Sequence, residues 1–358
     1  MRLHVPFDTF GMREKVCVSS LVRDESLGWT CGQCPLDRDG NVIAPYDLLA
    51  QASIVCRMIE ELVQRGRFDR TGIGKLNVYF NENVPAVGAA AIAMIGARFP
   101  QAIIVPTPVP EFYYAGMMIE VDVFAADRSR HTQKPTKQGI LSVVETGHLT
   151  WAHVHMRLDP HEAVPDAMAG IDAALRAKNL SVNQLLSDQW SASRTLAAGI
   201  DLSAALTEFG FLTMADGIVI VDDCDQRVLS GDLAFSIGQT TASHTVDPDV
   251  GLQIAARNDG RLYWIQSTQS EKGSDLVSQT DAIMSGIAAE LRAQELSFAN
   301  VVKVTAHYVG EASAEDLHQN LEIRHSHYAR PGPASTGLRV TSLLNPDALI
   351  AIAVIATR

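Results

Sequence analysis

The sequence predicts an α/β fold of the α+β type, built from three tandem ββαβαββ units. Three observations lead to this prediction. The chain has 358 residues, which at about 150 residues per domain is enough for two or three domains. Three of its four tryptophans close short apolar runs that follow polar turns. Each of these runs is followed by an amphipathic helical pattern, with apolar residues three and four positions apart.

The tryptophans mark the repeat. They lie in Leu27-Gly28-Trp29, Leu149-Thr150-Trp151 and Leu262-Tyr263-Trp264, which divide the chain into near-equal thirds. In the first two thirds the agreement continues, because Leu36-Asp37 and Leu158-Asp159 lie at the same distance after the tryptophan. Such self-similarity at a long period is typical of repeat architectures.

The remaining elements of each unit follow from the same periodicities. The first helices are predicted over Leu48 to Arg65, Ala163 to Lys178 and Leu276 to Gln294. Strands follow over Lys75 to Phe80, Ser187 to Arg194 and Val301 to Val309. Second helices follow over Ala86 to Ala97, Leu202 to Phe209 and Ala314 to Arg324. Each unit ends in apolar strands over Met117 to Ala125, Leu229 to Ile237 and Leu349 to Ile355.

We therefore expect units at 1–127, 128–241 and 242–358. The two helices of a unit cover one face of its sheet and leave the other face to be covered. Three units can cover these faces for one another, with the helices outside and the sheets lining the centre. The alternative is two domains with an irregular middle, because Thr195 to Gln239 matches the pattern least well.

Composition excludes several classes of function. Apolar residues make up 47% of the chain and charged residues 20%, which is typical of a compact globular protein. A net charge of −12 repels phosphate backbones, so we expect no nucleic-acid partner. Five cysteines, an odd number, and an N-terminus without an apolar leader favour a reducing cytoplasm. The longest apolar runs fall short of a membrane span, so no membrane partner is expected.

At these residues the chain resembles the Rid superfamily, the YjgF-like reactive-intermediate (enamine/imine) deaminases. The run from Leu27 to Asp37, LGWTCGQCPLD, is close to the family's opening strand and turn. The run from Gly147 to Asp159 keeps that framework with a changed middle. Near the C-terminus, FANVVKVT from Phe298 and ALIAIAVIA from Ala348 resemble the family's later strands.

The resemblance implies an architecture. Members of this family are trimers of a chorismate-mutase-like fold, with ligand clefts between neighbouring subunits. A chain that holds three divergent copies can close the ring by itself, so we expect an intramolecular pseudo-trimer. In solution it would be a monomer or a dimer of pseudo-trimers, with clefts that diverge independently.

The resemblance also indicates where chemistry lies. Deaminating members hold the substrate carboxylate with an arginine and position water with a glutamate of the last strand. The arginine is missing from its family position in every copy, and the glutamate survives as Glu120, where the other copies have Phe235 and Ala351. Burying a lone carboxylate is costly, which makes Glu120 a catalytic candidate. The alternative is an edge position exposed to water.

Further binding candidates surround the last two strands. Arg330 and Arg339 flank a turn that contains Ser335 and Thr336, and either arginine could supply positive charge from a shifted position. Arg194 closes a strand of the second unit and could face a cleft. Ordinary surface arginines are the alternative for Arg330 and Arg339. Asn320 fits a family asparagine, although a helix asparagine that faces solvent is the simpler interpretation.

Histidines and cysteines add weaker candidates. His153 and His155 alternate along one strand and share a face, but without a nearby cysteine or carboxylate they favour buried, hydrogen-bonded histidines over a metal site. Cys31 and Cys34 spell a CxxC, yet positions three apart on a strand face opposite ways, which disfavours a redox pair. Cys31 as a nucleophile would need a neighbouring base.

The leading functional hypothesis is a hydrolase or deaminase that acts on a small carboxylated, nitrogen-containing metabolite in one cleft between units. No metal and no cofactor are expected. One alternative is a small-molecule binding protein without turnover, because the family arginine is absent from its position. Another is a chorismatase-like lyase or hydrolase, because relatives with fused copies include chorismate-cleaving enzymes.

Overall fold

A computed structural model describes residues 2–7, 16–81, 83–135, 139–199, 201–211, 217–221, 226–309 and 314–358. It contains three mixed β-sheets, each with its helices packed on one face. Cys224 of the sequence lies outside these residues.

The elements fall into three groups along the chain. The first group comprises β1 (Leu3–Pro6), β2 (Ser19–Asp24), β3 (Leu27–Thr30), α1 (Leu48–Arg65), β4 (Ile73–Asn81), α2 (Pro85–Arg98), β5 (Ile103–Val109) and β6 (Ile119–Ala126). The second comprises β7 (Ser129–Pro135), β8 (Gly139–Thr146), β9 (Leu149–Leu158), α3 (Val164–Arg176), β10 (Leu185–Ser193), α4 (Arg194–Ala197), α5 (Leu202–Glu208), β11 (Val219–Val221) and β12 (Arg227–Ser236). The third comprises β13 (Thr241–Asp247), β14 (Leu252–Asn258), β15 (Leu262–Gln269), α6 (Leu276–Ala293), β16 (Val301–Val309), α7 (Ala314–Ser326), β17 (Ala334–Val340), β18 (Ser342–Leu343) and β19 (Ile350–Thr357).

The three sheets share one topology. Their orders are β1-β2-β3-β6-β4-β5, β7-β8-β9-β12-β10-β11 and β13-β14-β15-β19-β16-β17, with β18 added to the outer edge of β11. In each sheet the strand between the two main helices pairs antiparallel with the last long strand and parallel with the strand after the second helix. We call these sheets with their helices units 1, 2 and 3.

A shared irregularity aligns the units residue by residue. Each of β4, β10 and β16 follows a 3-10 turn and has a register shift after its first residue. These shifts place Lys75, Ser187 and Lys303 at equivalent positions. The same registers make Glu120, Ser230 and Ala351 equivalent on the last strands. Assigning Phe235 to the glutamate position was therefore wrong, because the bulge moves the register and Phe235 pairs with Leu185 instead.

The helices form because one face of each is apolar and its first turn is capped. In α1 the Asp47 side chain accepts a hydrogen bond from the Ala50 amide, and in α6 the Asp275 side chain accepts one from Ser278. The buried face of α1 includes Val55, Ile59 and Leu62, which pack on the first sheet. The predicted spans of α1 and α6 agree with the structure to within a residue at each end.

The opposite faces of the three sheets meet in a shared core. Trp29, Trp151 and Trp264 lie together in one buried cluster, with residues of all three sheets. Each tryptophan thus occupies an equivalent place in its unit, and the predicted arrangement of three α+β units with sheets towards the centre is confirmed. The structure adds one strand at the start of each unit, which the ββαβαββ pattern did not include. It also gives the ranges of β5, β11 and β17 after the second helices, for which the sequence analysis named no residues.

Among the helices that the structure describes, none combines the length and the apolar character needed to cross a bilayer.

Candidate functional site

A cavity of about 340 Å³ lies between units 1 and 3. Unit 1 contributes the segment after β3, the loop before β6 and the start of β6, while unit 3 contributes β16, α7 and β17. The volume lies within the range of small-molecule binding sites. Six of the residues singled out from the sequence line it: Cys31, Cys34, Glu120, Asn320, Ser335 and Arg339.

Glu120 lies on β6, which runs between β3 and β4 in the middle of the first sheet. It is only 7% exposed, so the edge alternative is wrong. Its carboxyl rests against Gly32, where a Cβ atom would come within 1.6 Å of Glu120 Oε1. A side chain at position 32 would therefore displace this carboxyl group.

Burial changes the proton affinity of Glu120. Loss of hydration raises its pKa to about 8, and the nearby Asp122 carboxylate adds to the rise. Lys303 and a hydrogen bond with the Cys34 thiol oppose it more weakly. Near pH 7 the carboxyl group is mostly protonated, so it can donate a proton to a ligand atom.

The positive charge of the cavity comes from Arg324 on α7, which the sequence analysis did not single out. Its side chain is 1% exposed, and its Nη1 atom has no hydrogen-bond partner among the described residues. Desolvation lowers the pKa of its guanidinium. A buried guanidinium with a free N–H edge is a receptor for a carboxylate, because the two groups match in charge and geometry.

A relay of buried side chains holds Arg324 in place. Arg324 Nε donates to Asn320 Oδ1 at 3.0 Å, and Asn320 Nδ2 donates to Thr280 Oγ1 on α6. Thr280 Oγ1 in turn donates to the Leu276 carbonyl oxygen at 2.6 Å. Asn320 is thus buried and engaged, not directed at solvent. Its spacing of four from Arg324 puts both on one helix face, and this spacing is the sequence signal that could have identified Arg324.

Strand alternation on β17 explains which neighbours reach the cavity. Ser335, Gly337 and Arg339 alternate with buried residues and line it. Thr336, a predicted binding residue, points the other way, where it donates to Asp122 Oδ1 at 2.6 Å and accepts from Lys303 Nζ at 2.6 Å. Thr336 therefore joins units 1 and 3 behind the cavity.

The rim carries two contacts between units 1 and 3. Arg339 forms an ion pair with Glu111, and Tyr113 Oη lies 3.3 Å from His318 Nε2. Apolar and aromatic side chains line the space between the rim and Glu120: Phe7, Val16, Val18, Phe112, Tyr114, Met117, Tyr308, Leu321 and Leu338. The cavity therefore suits a ligand with an apolar body and a polar group at each end.

His325 contributes a neutral imidazole to the cavity wall. Burial, with Arg324 beside it, lowers its pKa to about 3. Its Nδ1 accepts from the Cys17 amide at 3.1 Å, and its Nε2 lies 3.5 Å from Ser335 Oγ. Because the amide fixes Nδ1 as the acceptor, the proton resides on Nε2, toward the serine.

Both thiols of the CxxC line the same cavity, so the expectation that they face opposite ways was wrong. The reason is that β3 ends at Thr30 and strand alternation ends with it. Both are free cysteines. Burial raises the pKa of Cys31 to about 12 and that of Cys34 well above its usual range. At neutral pH both are thiols, which argues against Cys31 as a nucleophile.

The other candidates lie elsewhere. Arg194 begins the short helix α4 and Arg330 precedes β17; both are exposed, and neither lines the cavity. His153 is buried, with Nε2 2.9 Å from Ser230 Oγ and a pKa lowered to about 3 by burial. His155 lies beside it, with ring centroids 6.3 Å apart. This pair belongs to unit 2 and does not reach Glu120.

The other two clefts have lost the acidic group. Unit 2 has Ser230 at the position of Glu120, and unit 3 has Ala351. Ala351 packs in an apolar cluster with Val219, Val221 and Leu343, and β18 pairs with β11 across this cleft. In the described part of the chain, no cluster of three or more histidine, cysteine or acidic side chains could hold a metal ion.

No family model matches the chain, and no curated protein matches its sequence. Similar solved structures include a chorismatase, at 12% identity and a TM-score of 0.47, over 80% of this chain and 93% of that one. A Rid-family protein of unknown function from Yersinia pestis is 23% identical, with a TM-score of 0.27 over 35% of this chain and 98% of its own. The YjgF gene product of E. coli is 19% identical, with a TM-score of 0.29 over 34% of this chain and 94% of its own. The chain is thus similar to Rid-family structures over about a third of its length at a time and to a chorismatase over most of it.

Proposed function

We propose that the cavity between units 1 and 3 is the active site of a hydrolase that cleaves a C–N bond, of the deaminase type, in a small carboxylated metabolite. The observation that carries the proposal is the pairing, in one cavity, of a buried guanidinium with a free N–H edge and a buried carboxyl of raised pKa. Arg324 would bind the substrate carboxylate and Glu120 would transfer protons.

The chemistry follows from the protonation states. Protonated Glu120 donates its proton to the imine nitrogen and makes the carbon electrophilic. A water molecule then adds to that carbon, and the Glu120 carboxylate accepts a proton from it. The resulting carbinolamine takes this proton on nitrogen. The C–N bond then breaks while the hydroxyl proton of the carbinolamine passes back to the Glu120 carboxylate, and ammonia and a carbonyl compound leave. Imine and water are consumed, and Glu120 ends in its starting state.

The apolar lining supports this assignment in two ways. It removes water from the charged end of the substrate, which strengthens the interaction with Arg324. It also keeps the pKa of Glu120 high enough for the group to be an acid at neutral pH.

The test measures turnover and binding separately. Ammonia release would be followed for a panel of small 2-imino acids, enamines and carboxylic acid amides, and binding would be followed by calorimetry with benzoate. Glu120→Gln keeps the shape of the side chain but cannot exchange the proton, so it is expected to abolish turnover and keep benzoate binding. Arg324→Gln is expected to lose both. Arg330→Gln, an exposed arginine outside the cavity, is the matched control.

Outcomes separate the alternatives. Full turnover in Glu120→Gln contradicts the catalytic assignment. Benzoate binding that depends on Arg324, without turnover of any member of the panel, favours a binding protein. Release of pyruvate from an enol ether, without ammonia, favours a lyase or hydrolase of the chorismatase type.

We also propose that residues 1–127, 128–241 and 242–358 are the three repeats, and that the protein works in the cytoplasm as a monomer or a dimer of pseudo-trimers. All of the groups assigned above come from one chain, which supports this assembly. Light scattering that gives the mass of three chains would contradict it.

A further inference from the structure

The charges around the cavity are unequally compensated. At the inner end, Arg324 is buried and its Nη1 has no partner among the described residues. At the mouth, Arg339 is 25% exposed and forms an ion pair with Glu111, which is 56% exposed. Glu322, half-buried, also lines the cavity. The exposed and half-buried part of the lining therefore carries two carboxylates against a single guanidinium.

The remaining titratable groups do not change this balance. His325 is neutral because its pKa is lowered to about 3, and Glu120 is mostly protonated near pH 7 because its pKa is raised to about 8. His318 is engaged with Tyr113 at the rim. The cavity thus presents one uncompensated positive charge, at its inner end.

We infer that Glu111 is a specificity-determining residue, which occupies Arg339 and so limits the cavity to ligands with one negative charge. A ligand with a second carboxylate at the mouth would have to displace Glu111 from Arg339 and would then face both Glu111 and Glu322. Like charges placed together in this way disfavour the wrong ligand more than they stabilise the right one.

The inference rests on the proposed role of Arg324. It also predicts that one substitution at the mouth creates a new binding property. Removing the charge of Glu111 would leave Arg339 free at the mouth, where a guanidinium can bind a carboxylate through charge-assisted hydrogen bonds. The same change that weakens the rim contact would therefore create a second anion-binding group.

The experiment compares carboxylates of matched skeleton by calorimetry at pH 7 and low salt. Glutarate, adipate and isophthalate would be measured against valerate, hexanoate and benzoate, so that several spacings between two carboxylates are covered. In the unmodified protein each dicarboxylate is expected to bind more weakly than its monocarboxylate partner. In Glu111→Gln the ratio of dicarboxylate to monocarboxylate affinity is expected to rise about fivefold for at least one pair, because Arg339 is partly exposed.

Two further variants test whether the freed Arg339 causes the change in the affinity ratio. Glu111→Gln combined with Arg339→Gln is expected to return the ratio to its original value, since the gain requires the freed guanidinium. Glu315→Gln, on the exposed face of α7, removes a negative charge outside the cavity and is expected to leave the ratio unchanged. A ratio that does not rise in Glu111→Gln, or rises equally in Glu315→Gln, overturns the inference. If Arg324→Gln keeps full affinity for the monocarboxylates, the proposed anion site itself fails.

Discussion

The Lys303 Nζ atom of unit 3 lies 2.9 Å from Asp122 Oδ2 of unit 1, and both side chains are almost completely buried. At the equivalent place on the pseudo-threefold axis, Lys75 of unit 1 lies 2.7 Å from Asp232 of unit 2. The third pair of the ring would join the positions of Ser187 and Ala353, which carry no charge. Two buried ion pairs therefore fix unit 1 to both of its neighbours, and the equivalent positions between units 2 and 3 hold no such pair.

Lys303→Met is expected to destabilise the protein by about 3–5 kcal/mol, because it leaves the Asp122 carboxylate buried without its cation. Lys303 Nζ also donates to the Thr30 carbonyl oxygen at 2.9 Å, and that bond would be lost too. Urea unfolding at pH 7 measures the change. Lys272→Met, at an exposed position, is the control. A loss below about 1 kcal/mol would show that the ion pair does not hold units 1 and 3 together.

The raised pKa of Glu120 predicts a pH dependence of stability. The folded state holds the Glu120 proton more tightly than the unfolded state, whose ordinary value is 4.5. The contribution of this proton to the stability of the folded state is therefore complete below about pH 4.5 and is lost as the pH rises through about 8. Melting temperatures of the unmodified protein and Glu120→Gln would be compared between pH 5 and pH 9. As the pH rises, the melting temperature of Glu120→Gln is expected to increase relative to that of the unmodified protein. A difference in melting temperature that stays constant over this pH range would contradict the raised pKa of Glu120.

Thr280→Val is expected to weaken benzoate binding about tenfold, although Thr280 lies on α6 and does not line the cavity. The valine has the same shape but cannot accept from Asn320, so the Asn320 amide loses its orientation and Arg324 loses its anchor. Calorimetry measures the affinity. Thr280→Ser restores the hydroxyl group and is expected to restore binding. Weak binding in both variants would point to helix packing, not to the hydrogen-bond relay.

Gly32→Ala is expected to abolish turnover with little effect on benzoate affinity, because its methyl group would displace the Glu120 carboxyl and not Arg324. Gly147→Ala, at a position with no atoms within 4 Å of the added methyl group, is the matched control. Ammonia release and calorimetry on both variants test this separation. Wild-type turnover in Gly32→Ala would show that Glu120 need not stay in its observed place.

The sequence predicts best the elements whose own periodicity fixes them. The apolar faces of α1 and α6 and the strand β16 appear where they were expected. It predicts least well the strands that depend on a neighbour: β5 contains Pro106 and Pro108, and β13 is exposed along nearly its whole length. Neither has the alternation of a half-buried strand, so only pairing with β4 or β14 defines it.

The residues of the candidate site also divide into those that the sequence alone identifies and those that only the fold identifies. Glu120 could be identified because a carboxylate in an apolar strand is unusual on its own. Arg324 was not identified, because on α7 only its spacing of four from Asn320 distinguishes it from any helix arginine until the fold buries it opposite unit 1. Ser335 and Thr336 were both candidates, and only the register of β17 assigns one to the cavity and the other to the interface.

Glu120 and Arg324 are 204 positions apart in the sequence, and their cavity has one wall from each end of the chain. During synthesis from the N-terminus, units 1 and 2 can fold while α7 and β17 are still missing. A partly made chain therefore contains the acid without its arginine, and a truncation that removes only the last 35 residues removes the anion receptor. On the proposed function, turnover therefore requires that synthesis has passed Arg324, and a chain cut before that residue is expected to have no activity.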